Sequence, residues 1–175
     1  VLTALFRLGN GNSFRTCRSN TYLSVSEIRK FFIVFLDAIV DMRDEYVHLP
    51  RDMNELRRLT RDYDNQGFPG CCGSMDVVHV KWSQCPTGDH NRAKGKAGYP
   101  MIGFDCITDF RWRIIGIFGP QFGSRNDKEI VKEDTNVHLL RTSWYKDVCW
   151  SYYDKSGVIQ EDRGMYFICN NGYLC

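Results

Sequence analysis

The sequence predicts an α/β fold, α+β in its overall order: a helical region over 1–66, then a mixed sheet with a flanking helix over 67–175. Three observations carry that expectation. Ile28, Phe31, Phe32, Phe35, Leu36, Ile39 and Val40 recur at the spacing of a core-facing helix. From Gly67 onward the pattern changes to short runs of β-branched and aromatic residues divided by turns. Between the third and fourth of those runs, 126–131 reads as a helix start with Asp127 in its first turn.

The 175 residues are 43% apolar, enough for a real core, and the net charge of +2 does not identify a polyanion-binding protein. Contact with nucleic acid must come from local basic clusters. No run of eighteen apolar residues and no signal-peptide pattern occurs, so no membrane role is expected. Eight cysteines are scattered without C-x-x-C spacing, and Cys106 and Cys169 stand in apolar runs where cysteine acts as a small hydrophobe. Reduced thiols in an intracellular protein are expected. Cys85 and His90 lack a second ligand pair, so zinc is not. The chain opens at Val1 inside an apparent helix and ends at Cys175 just past an apparent strand, which reads as a fragment of a longer protein.

In chain order, 1–8 is a helix end stopped by Gly9-Asn10-Gly11, and 13–18 a short helix. Ser24 and Glu27 form a capping box opening the longest helix, whose stripe, widened by Ile33 and Val34, predicts cover on most sides. Short helix, turn and capped helix, with Arg15, Arg18, Arg29 and Lys30 near the start, fit either a helix-turn-helix or a plain helical bundle. A further helix over 51–63 carries Arg57, Arg58 and Arg61 on its solvated side.

The turn Gly67-Phe68-Pro69-Gly70 feeds a strand over 74–82. Met75, Val77, Val78 and Val80 predict burial of that strand on both faces, with Asp76 set among them. A carboxylate there needs either an Arg or Lys partner or a divalent metal. Arg111, Arg113 and Arg125 are the candidate partners of a purely structural reading. A polar loop over 83–98 holds His90, Arg92, Lys94 and Lys96. A hairpin is expected over 99–107 and 111–118, and a loop at Gly119-Pro120. The stretch 144–164 shows little usable period, and 165–169 is another strand. Three strands, a helix and a fourth strand make the front part of a ribonuclease H-like sheet, a fold that sets carboxylates at the ends of neighbouring strands.

Laid out this way, nearly the whole chain resembles the Harbinger (PIF-type) transposases and their domesticated nuclease relatives. GFPGCCGSMDVVHV is similar to the first acidic motif, GKAGYPMIGFDCITD to the segment after it, FGSRNDKEIV to the second acidic motif, and YFICNNGYL to a strand that in the family ends Asp-x-Gly-Tyr. The resemblance implies a DDE endonuclease domain acting on DNA with two Mg²⁺ (or Mn²⁺) ions. Asp76 and Asp127 would be catalytic metal ligands, Asn170 would stand at a degenerate ligand position, and Arg92, Lys94 and Lys96 would hold phosphates. It also implies a nuclear location and a companion Myb/SANT-like DNA-binding protein. His79 has a family counterpart, though a core histidine is the expected role. Asn170 brings no charge, and the family's last Glu would lie beyond Cys175. The expectation is therefore a nuclease lineage without nuclease activity in this chain, or a non-catalytic DNA- or protein-binding remnant.

Overall fold

A computed structural model describes residues 1–170. The chain forms two compact units, the first spanning Val1–Tyr46 and the second beginning at Val47. Among the described residues no helix is long and apolar enough to cross a membrane.

The first unit is helical: α1 (Leu2–Asn10), α2 (Phe14–Ser19), α3 (Val25–Asp41) and α4 (Arg43–Tyr46). Gly11 ends α1 in the left-handed region, φ 62°, where lack of a side chain removes the steric cost. The capping box forms as the sequence predicts: Ser24 Oγ accepts from the Glu27 N–H at 3.2 Å, and Glu27 accepts from the Ser24 N–H at 2.8 Å. Phe14 meets Phe32 edge to face at 5.6 Å, with the Arg7 guanidinium 3.8 Å over the Phe14 ring. Within this unit α3 buries Ile28 and leaves Phe31, Ile33 and Val34 exposed, so the expected cover on most sides is not supplied by its helical neighbours.

The second unit contains α5 (Met53–Asp64), β1 (Cys71–Lys81), α6 (His90–Ala93), β2 (Met101–Thr108), β3 (Ile114–Phe122), α7 (Asp127–Glu133), α8 (Thr135–Thr142), β4 (Cys149–Tyr153), β5 (Ile159–Arg163) and β6 (Tyr166–Cys169). The main sheet has the order β3-β2-β1-β6; β2 is antiparallel to both of its neighbours and β6 runs parallel to β1. The fold class is thus the mixed α/β arrangement that the sequence predicts. The division between units falls at 46/47, whereas the expected helical region runs to 66. The reason is packing. Leu56 on α5 joins Met75, Ile107, Ile115, Val137 and Leu140 in one buried cluster, and Tyr63 Oη lies 3.1 Å from Ser74 Oγ and donates to the Thr108 carbonyl at 3.3 Å.

Three elements depart from expectation. The Gly119-Pro120 pair lies inside β3 rather than in a loop. β3 is the sheet edge, where a residue without an N–H leaves no ladder bond unmade. The stretch without usable period contains the β4–β5 hairpin. Its turn is organised by Asp154, whose carboxylate accepts from the N–H groups of Ser156 and Val158 at 2.9 Å each, from Ser156 Oγ at 2.6 Å and from Gln160 at 3.0 Å. The Ser156 hydroxyl leads the contacts that hold that carboxyl down to about 2. Finally, Cys169 is exposed and Cys106 half-buried, so Cys169 is not the small core hydrophobe expected of it.

The turn before β1 is shaped by close approach. Gly70 has φ 81°, and a Cβ there would lie 2.3 Å from the Trp150 ring, whose Nε1–H donates to the Gly164 carbonyl at 2.9 Å. Gly67 has a similar φ of 84° but open space around it. Gly67→Ala should therefore cost about 1 kcal/mol from backbone strain alone, and Gly70→Ala should cost more, roughly 2–4 kcal/mol. Urea denaturation of the two variants checks the order; equal losses would mean that Trp150 does not pack against Gly70.

Candidate functional site

Strand alternation decides where the acids point. On β1, Met75 is buried and Val77 half-buried, while Asp76, Val78 and Val80 are exposed. The expectation of a strand buried on both faces is corrected here: α7 and α8 cover one face of the sheet, and the face bearing Asp76 is open at that position. Asp76 is thus an exposed carboxylate, and its Oδ1 accepts from the Val77 N–H at 3.0 Å. His79, the expected core histidine, is half-buried and lies opposite Gly103.

The register then places the other residues. Asp76 pairs across the ladder with Cys106, and Val77 with Asp105. On the other side of β1, Met75 pairs in parallel with Cys169, so Asn170 follows one residue beyond the last pair, level with Asp76. Asn170 thus stands at the end of β6, one residue past its last pair with β1. The rest of that motif, Asn171 onward, lies outside the described residues. Asp127 opens α7, behind the N-cap Asn126, whose side chain accepts from the Lys128 N–H at 3.0 Å.

Arg92, Lys94 and Lys96 are exposed on the connection between β1 and β2. That connection packs on the turn leading to Asp127: a Cβ on Gly123 would lie 2.7 Å from the Ala93 carbonyl oxygen, and one on Gly95 would lie 2.4 Å from the Gly123 carbonyl oxygen. The Arg92 guanidinium stacks 4.3 Å from the centroid of the Phe122 ring. The basic residues are thus gathered near Asp127. Asp76 lies five residues before Lys81, the end of β1, roughly 17 Å along the strand.

The three arginines of the structural reading are engaged elsewhere. Arg111 pairs with Asp62 at 3.0 Å, Arg113 with Asp109 at 2.7 Å, and Arg125 with Glu133 at 2.6 Å. Two further acids, which the sequence reading did not single out, have no exposed surface at all. Asp105 and Asp134 are fully enclosed. Burial, then the Asp134 carboxylate, and beyond it Asp76 and Asp127, push Asp105 up to about 7. A signal was present in the sequence, since Asp105 sits in the apolar run of β2, but strand alternation alone does not say which face is covered.

Among the described residues no group of three or more His, Cys, Asp or Glu side chains is placed to hold a metal ion. The donors described here do not make a centre for two divalent cations, which calls for three or four hard, charged oxygen ligands.

Residues 44–143 match the family described as plant transposon protein. The chain is also 22% identical over 121 residues to a protein of Rattus norvegicus named "Putative nuclease HARBI1", an alignment covering 69% of this chain and 34% of that protein. The chain thus spans about a third of the length of that curated relative. No solved structure matches it.

The placement of Asp76 has a chemical readout in its ladder partner. Burial first, then Asp105 and Asp76, raise the Cys106 thiol. Since the thiolate is the reactive form, Asp76→Asn should speed alkylation of Cys106 near neutral pH about two- to fivefold. Mass-spectrometric labelling kinetics check this; an unchanged rate at Cys106 would place Asp76 away from it.

Proposed function

This chain belongs to the plant transposon protein family, a Harbinger-type, transposase-derived lineage, and on that footing we propose that it is a DNA endonuclease domain by descent whose metal-binding set is incomplete. It holds DNA without cutting it. The observation that carries this reading is the position of Asn170. The sheet order β3-β2-β1-β6, with β6 parallel to β1, supports a ribonuclease H-like domain. In that fold the end of the fourth strand is a principal ligand position, and there the chain offers an amide beside Asp76.

The charge argument is direct. Mg²⁺ binds through hard oxygens, and its hold depends on the negative charge of its ligands. Asp76 and Asp127 contribute two charges and Asn170 none. Phosphate recognition does not need that set. Arg92, Lys94 and Lys96 form an exposed basic loop next to the turn that leads into α7, suited to a DNA backbone. With DNA as the partner, a nuclear location and a companion Myb/SANT-like DNA-binding protein belong to the same reading.

Restoring the charge tests it. The chain is expected to leave supercoiled plasmid intact in Mg²⁺ or Mn²⁺, with little rise in melting temperature on adding either ion. Asn170→Asp should confer a metal-dependent rise, equivalent to about 2–3 kcal/mol when the metal is near a hundredfold over its dissociation constant. Asp76→Ala in that background should abolish it. Nicking by the unmodified chain, lost in Asp76→Ala, would show the set to be complete after all.

DNA binding is tested separately by its salt dependence. Each of Arg92→Ala, Lys94→Ala and Lys96→Ala should lower the slope of log affinity against log salt by about 0.9. Slopes unchanged in all three variants would remove the loop from the interface.

A further inference from the structure

Asp105 lies in the middle of β2 with 0% of its surface exposed, and neither of its carboxyl oxygens has a hydrogen-bond partner among the described residues. Asp134, also 0% exposed, sits between α7 and α8. Its Oδ1 accepts from the backbone N–H groups of Asn136 at 2.5 Å and Val137 at 3.3 Å, capping α8, and its Oδ2 has no such partner. No donor among the described residues reaches these three oxygens, and the Asp134 side chain acts on Asp105 both by its charge and by the hydrogen bond that a proton between them makes. Three orphaned carboxyl oxygens in one enclosed place are costly if both groups are ionised, because like charges out of water repel strongly and each has lost its hydration.

One proton resolves the conflict. Held on Asp105, it makes an O–H that donates to Asp134 Oδ2, leaving the Asp134 carboxylate to cap the helix. The other charged groups acting on Asp105 are Asp76 from β1 and Asp127 from α7, all acidic, and they favour the proton further. We propose that Asp105 and Asp134 share a single proton, and that this proton clamps the turn between α7 and α8 to the centre of the sheet. The clamp sets how α7, which begins at Asp127, rests against β2.

The sign of its pH dependence follows. Asp105 is raised from the ordinary carboxylate range to about 7, so the folded chain binds this proton more tightly than the unfolded chain does. The stabilisation is complete below the ordinary range, declines as pH rises from about 4 through about 7, and is gone above that. Asp105→Asn puts an amide N–H where the acid O–H stood and needs no proton to donate.

Melting temperature against pH is the test, on the full chain without added metal. The variant and the unmodified chain should melt closest together near about pH 4, and the variant should melt several degrees higher near about pH 8. A gap that stays constant across that range would overturn the clamp. Should Asp105→Asn fail to fold, infrared difference spectra of the unmodified chain decide. A protonated carboxylic-acid carbonyl band near about pH 6 that titrates away by about pH 8 supports the shared proton, and its absence refutes it.

Discussion

The antiparallel register of β1 on β2 is the constraint from which the rest of the second unit follows. Met75 faces Ile107 on the covered side, and both are buried. Because side chains alternate with period two, fixing that one pair fixes all the others. Asp105 is driven into the interior beside Val77, while Asp76 is turned to the opposite face beside Cys106. A shift of one residue would exchange the surroundings of the two carboxylates. Burial of Met75, Ile107 and Ile115 under Val137 and Leu140 opposes that slip, since it would put those apolar groups into water.

The acids of this unit accordingly have different chemistry despite similar local sequence. Asp62, partly exposed, is met by the Arg111 guanidinium, and the buried Asp109 by Arg113. Both pairs engage arginines that could otherwise neutralise a neighbour. The enclosed pair, Asp105 with Asp134, has three carboxyl oxygens that no donor among the described residues reaches and a helix N-terminus on one side only. An acid in that setting keeps its proton to far higher pH than one in water.

Backbone proximity does the remaining positioning. Gly95 and Gly123 bring the β1–β2 connection against the end of β3 at distances a side chain would prevent, and Gly70 does the same for the β4–β5 hairpin through Trp150. The basic loop is thereby attached to the turn that leads into α7, not to the middle of β1. In this arrangement the basic loop and Asp76 belong to different parts of the sheet.

By itself the sequence determined the local elements and the lineage. The Ser24–Glu27 box, the apolar stripe of α3, the β1 and β2 runs and the helix after Asn126 are all short-range patterns, complete within a few residues, and the Harbinger-like motifs are local strings. Only the tertiary structure decided which face of each strand is covered, that α5 belongs with the sheet, that Arg125 turns to Glu133, and that Asp105 meets Asp134 across 29 positions of chain. These depend on packing between segments remote in sequence, and a period-two pattern is symmetric until a neighbouring helix covers one of its sides.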